Sequence, residues 1–186
     1  MSGWRNTAGQ IGRVTRGLHW GMAALILGQI ALGLSLPRLA PSLSNLWLYG
    51  LHKSLGATLL ALVVLRLIWH RISPPPPPLG ETGAWPGRLA RAVHAAIYVA
   101  LVVVPVSGWV GASASGIDTV IWGIWTLPAI APMTEAWQDG GFAVHAWATK
   151  ALMALLALHL AGALHRGAKG DGTLRRMWTG RPHPRP

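Results

Sequence analysis

Four apolar runs, residues 18–36, 46–69, 92–112 and 142–164, each reach or approach the roughly 20 residues an α-helix needs to cross about 30 Å of hydrocarbon. Lipid offers no partners to backbone N–H and C=O groups, so segments of this kind are confined to helices that satisfy them internally. Composition agrees: 52% of the 186 residues are hydrophobic and 11% charged, with a mean hydropathy of +0.40, against roughly 25% charged residues in soluble domains. The expected fold class is therefore all-α, an integral membrane four-helix bundle. Arg5, Arg13 and Arg16 precede the first run as they would a signal peptide. Its apolar core is longer than a signal sequence uses and no A-x-A site follows, so the run reads as a retained helix.

The connections differ in kind. Residues 73–88 form a Pro-rich loop, in which "SPPPPPLGETGAWPG" favours an extended polyproline segment. Residues 113–141 are too long for a tight turn, and "IWGIWTLPAIAP" suggests a short interfacial segment lying on the membrane. Residues 178–186 read as a disordered tail.

The formal charge of +11 is distributed, not clustered. If the N-terminus lies on one side, that side collects every Lys and Arg except Arg38, Lys53 and Lys150. Such an excess marks the cytoplasmic face, so both termini should be cytoplasmic. Because the cations sit at helix ends and form no patch, the high charge calls for no nucleic-acid partner, and membrane lipid is the expected surroundings. The absence of cysteine removes disulfides, thiolate metal sites and covalent c-type haem attachment.

This topology sorts the histidines. In "HAWATKALMALLALH", His145 and His159 stand 14 residues apart, about 21 Å along a helix and roughly 40° short of four full turns, so both project from one face. His19 begins the first helix at the inner level, which His159 shares. His52 begins the second at the outer level, which His145 shares. Two bis-histidine sites, stacked across the bilayer, are the simplest construction. Any one such histidine alone would read as a hydrogen-bonded helix-packing residue, but four at matched depths point to ligation. A pair of imidazoles without a third protein ligand suits haem iron, whose porphyrin supplies four nitrogens, whereas zinc wants four protein ligands.

Neighbouring residues fit that geometry. Gly33, 14 residues after His19, and Gly56, one turn after His52, leave room for a macrocycle against the backbone. Arg66, 14 residues after His52, and Arg16, three before His19, are placed to meet inner-haem propionates; a snorkelling inner cation is the alternative for each. Lys53, beside His52, is a local attractor for an anionic outer donor.

The segments "LHWGMAALILGQIALGL", "LHKSLGATLLALVVLRLIW", "VHAAIYVALVVVPVSGW" and "ALHLAGALHRGAKGDGTLRRM" resemble the four helices of the prokaryotic cytochrome b-561 family, di-haem membrane cytochromes. The likeness runs from about Arg13 to Met177 and is most specific in the His-Trp start of the first helix, the "WGIWTLPAI" loop and "DGTLRRM". The resemblance implies two haem b with iron ligands at His19, His52, His145 and His159. It also implies a multi-pass location in the bacterial inner membrane and quinone as an exchangeable substrate. One branch of the family oxidises superoxide and reduces ubiquinone; related domains anchor hydrogenases and other dehydrogenases. The expected partner is accordingly a small outer-side electron donor or a dehydrogenase. If the chain is itself an enzyme, it is an oxidoreductase; a haem-free transporter or metal-binding protein is the reading from another class. The resemblance further favours His94, with Tyr98 one turn on, at a quinone pocket or a propionate, the alternative being a plain interfacial histidine. Where the family often has a His pair after the fourth helix, this chain has His165 and Arg166, so Arg166 takes a quinone-side position that departs from the pattern. Lys150, inside the fourth helix, is also unusual.

Overall fold

The helices outrun their apolar cores. The computed structural model describes residues 3–39, 42–79 and 84–181. It contains α1 (Arg13–Ser35), α2 (Leu46–Ile72), α3 (Ala84–Ala114), α4 (Glu135–Ala168) and a short α5 (Thr173–Thr179). The first four are long and apolar enough to cross a membrane. Their ends are set by local chemistry and not by hydropathy. Pro37 follows α1 and Pro74 follows α2, and neither can continue a helix. Pro86 lies in the first turn of α3, where a missing N–H costs nothing, so residues 84–88, expected in the Pro-rich loop, are helical. At α4, the Thr134 hydroxyl accepts from the Trp137 N–H at 3.4 Å, an N-cap that starts the helix seven residues before the expected apolar run. Gly170, at φ 67°, follows its end.

The segment between α3 and α4, expected as a short interfacial stretch, has regular structure of its own. It holds an antiparallel hairpin of β1 (Thr119–Ile121) and β2 (Trp125–Leu127), with Thr119 paired to Leu127 and Ile121 to Trp125. Three residues connect the strands; Trp122 and Gly123, both at positive φ (53° and 69°), are the central residues of the turn that Ile124 N–H closes by donating to Ile121 O at 3.0 Å. Positive φ at both turn positions is the hairpin geometry that matches strand twist. Of the tail expected to be disordered over residues 178–186, Trp178 and Thr179 belong to α5. Residues 182–186, including His183, lie outside the described residues.

The chain divides into two compact units. Unit 1 (Met1–Gly21, Val64–Tyr98, Met153–Pro186) contains the start of α1, the end of α2, the start of α3, the end of α4, and α5. Polar contacts between distant segments tie it together. Asn6 donates to Ser73 through its backbone N–H (2.9 Å) and its amide (2.7 Å), and its side-chain oxygen receives the Gly12 N–H at 2.8 Å. Trp69 Nε1 donates to the Thr15 hydroxyl at 2.9 Å. α5 is held by the stack of Trp178 on Trp20 (4.3 Å between centroids), by Trp20 Nε1 on Met177 O (3.1 Å) and by Ile11 N–H on Gly180 O (2.9 Å).

Unit 2 (Met22–Val63, Val99–Leu152) contains the remainder of α1 to α4 and the hairpin. α3 and α4 cross closely there. A Cβ on Gly141 would fall 2.6 Å from Gly111 N, so only glycine permits that approach. Large apolar side chains such as Val99 and Trp147 point outward and are exposed, whereas Ser54 and Ser107 are buried. Outward apolar and inward polar residues are what a bilayer solvent selects.

Candidate functional site

Each unit brings together two imidazoles from different helices, edge to face. In unit 1, His19 on α1 and His159 on α4 have ring centroids 6.3 Å apart with an interplanar angle of 62°. In unit 2, His52 on α2 and His145 on α4 stand 6.0 Å apart at 79°. Two imidazoles sharing one metal at about 2 Å per nitrogen, with each ring centre about 1.1 Å farther, have centroids about 6 Å apart. The spacing of both pairs would allow each to hold one metal ion between its two imidazoles.

The unit 2 pair is clamped by α3 and α1. His145 Nδ1 lies 2.7 Å from Val104 O; a carbonyl only accepts, so Nδ1 carries the hydrogen and Nε2 keeps its lone pair for a metal. The ring lies on Gly108, where an added Cβ would come within 2.9 Å of Nδ1. His52 lies on Gly33 in the same way, with its Cε1 2.9 Å from a Cβ there. Gln29 Nε2 donates to His52 O at 2.7 Å. His52 Nδ1 and Gln29 Oε1 are buried without a protein partner.

The unit 1 pair has more polar company. His94 on α3 lies 5.0 Å from the His159 ring, and Arg66 Nη2 is 3.3 Å from His19 Nδ1. The Arg66 guanidinium also sits 5.9 Å from the Tyr98 ring centre. Arg66 Nε and Tyr98 Oη are buried without partners. A buried donor normally has an acceptor, so these two await one that the protein does not supply. A carboxylate-bearing group between the imidazoles meets that need.

Several expected cofactor contacts are engaged elsewhere. Arg16 donates through Nη1 to Trp178 O and so secures α5. Lys53 Nζ donates to Asp118 O at 2.9 Å, binding α2 to the approach to β1. Arg166 pairs with Asp171 at 2.6 Å and bonds to Leu79 O. Gly33 receives the His52 ring where open space was expected, and Gly56 faces Gln29. Each of these residues thus has an interhelical or loop neighbour, while Arg16 Nε is buried without a protein partner. The Gly108 and Val104 clamp on His145 was not visible in the sequence, although an isolated glycine within the apolar run "VVVPVSGW" signals a close approach.

Among the described residues the histidines form two facing pairs, with His94 adjoining the ring of His159. Among the described residues no group of three or more His, Asp or Glu is placed to hold a metal ion. That donor set suits haem, with four nitrogens of its own, and does not suit a protein-only zinc site.

Comparison with known proteins agrees. The family model of prokaryotic cytochrome b561 matches residues 10–180. Cytochrome b561 homolog 2 of Escherichia coli (strain K12) is 34% identical over 176 residues, covering 92% of this chain and 93% of that protein. The chain belongs to the prokaryotic cytochrome b561 family, and is a multi-pass protein of the bacterial inner membrane that serves electron transfer through haem.

Proposed function

We propose that the chain carries electrons across the membrane between two b-type haems, one held by His19 and His159 and the other by His52 and His145, and exchanges them with membrane quinone. The observation that carries this reading is the pair of imidazole separations, 6.3 and 6.0 Å, each between different helices. Haem held by two histidines supplies a one-electron couple and leaves iron no open coordination position.

The protein's own residues do the rest. Val104 O fixes the His145 tautomer and ring orientation. Arg66 has a double role. A guanidinium only donates, so His19 Nδ1 is an acceptor in the present contact. If His19 held a metal through Nε2, its Nδ1 would carry the hydrogen, and Arg66 would need another acceptor. A propionate is the natural one, and Tyr98 Oη, also unpartnered, would donate alongside it. His94, beside His159, stands on the side proposed for quinone.

The donor decides between a self-contained superoxide:quinone oxidoreductase and an anchor for a separate dehydrogenase. Stopped-flow haem reduction of the purified protein, with superoxide and separately with a ubiquinol analogue, distinguishes them. Reduction by both reagents is expected for the oxidoreductase. Reduction by quinol alone assigns the anchor role, and reduction by neither overturns the quinone-coupled reading.

A further inference from the structure

We infer that the β1–β2 hairpin is inserted into the outer half of the bilayer, with Ile124 and Trp125 against lipid acyl chains. The segment then penetrates the membrane and does not merely lie on its surface. Its depth is fixed by what it bonds to. The Trp122 N–H donates to Ser54 Oγ at 2.9 Å, and Trp122 Nε1 to Thr58 Oγ1 at 3.2 Å. Ser54 lies eight residues beyond Leu46, the first residue of α2, and so about 12 Å along its axis. The chain before Leu46 is polar, with Ser42, Ser44 and Asn45. Even with the about 40 Å of α2 centred on about 30 Å of hydrocarbon, the hairpin turn lies about 7 Å inside the apolar slab.

Non-helical backbone at such depth needs its polar groups satisfied by protein, and several of them are bonded here. The two strands pair with each other, and the turn closes through Ile124 N–H to Ile121 O. Ser54 takes the Trp122 N–H, Lys53 Nζ reaches Asp118 O, and Trp109 Nε1 donates to Pro128 O at 3.0 Å. Trp122 occupies a positive φ that Asn or Gly normally fills. Its indole bond to Thr58 holds it there.

The outward side chains name the occupant. Ile124 is 89% exposed and Trp125 71%. No residue from Thr119 to Leu127 is charged. A loop surface facing water ordinarily carries charged side chains, whereas acyl chains demand an uncharged, apolar set of outward side chains like this one.

The chain has no cysteine, so single thiols can be introduced without competition. Ile124→Cys and Trp125→Cys, each carrying a nitroxide, are reconstituted in phosphatidylcholine vesicles beside Ser44→Cys as the aqueous control. Retention of the wild-type haem spectrum identifies folded variants, and either hairpin site suffices. Relaxation by oxygen, which partitions into lipid, is expected to exceed relaxation by a water-soluble nickel chelate several-fold at the hairpin, with the reverse at Ser44. Nickel access at the hairpin equal to that at Ser44 would overturn the inference and leave the surface to an aqueous partner.

Discussion

Gly108 and Arg66 carry the sharpest residue-level consequences. A side chain at Gly108 would push on the His145 ring, since even a Cβ comes within 2.9 Å of Nδ1. Gly108→Leu should therefore lose most of the haem held by His52 and His145 while sparing the other site, read from haem content and reduced-minus-oxidised spectra. Arg66 sits beside His19, and a nearby cation favours the form of a haem that has gained an electron. Arg66→Leu is expected to lower the midpoint potential of that haem by tens of millivolts and leave the other nearly unchanged, as a redox titration would show. The two imidazole pairings were legible because helical periodicity puts His145 and His159, 14 residues apart, on one face, and the topology set His19 and His52 at their levels. The supports of His145 were not, because a contact from Val104 or Gly108 depends on which helices adjoin, and hydropathy is silent on that.

At the scale of elements, the corner between α4 and α5 is a polar latch. Arg166 binds Asp171 at 2.6 Å, Asp171 Oδ1 receives the Thr173 N–H at 2.8 Å, and buried Arg176 donates to Pro77 O at 3.0 Å. Burial tends to raise the Asp171 carboxyl, but hydrogen bonds from Thr173 and Arg166 outweigh it and hold it below the usual carboxylate range. Its contribution is thus fully present above the ordinary carboxylate range and lost only as pH falls through the depressed folded value. Asp171→Asn should weaken the corner by about 1–2 kcal/mol at neutral pH and remove its acid sensitivity, measured as hydrogen exchange over residues 173–181. Equal acid sensitivity in the variant would place the titrating group elsewhere. Helix existence was readable from apolar runs, whereas helix ends were not, because Thr134 and Pro86 set them outside the apolar cores. The hairpin escaped detection because its turn uses Trp-Gly where Asn-Gly is the usual signal.

For the whole molecule, charge and cofactor number are the two quantities that test the account. The distribution of Lys and Arg predicts that both termini are cytoplasmic. A cytoplasm-only reporter fused after Pro186 should be active and one inserted near Gly140 inactive; the reverse pattern would invert the orientation of both proposed sites. The central claim, two bis-histidine haems, is tested most directly by haem-to-protein stoichiometry of the purified protein and its single-histidine variants. The account predicts two haem b for the wild type and one for each variant, with His19→Ala and His159→Ala losing one spectral component and His52→Ala and His145→Ala the other. One haem in the wild type, or loss of a haem in His94→Ala with retention of both in His159→Ala, would contradict it.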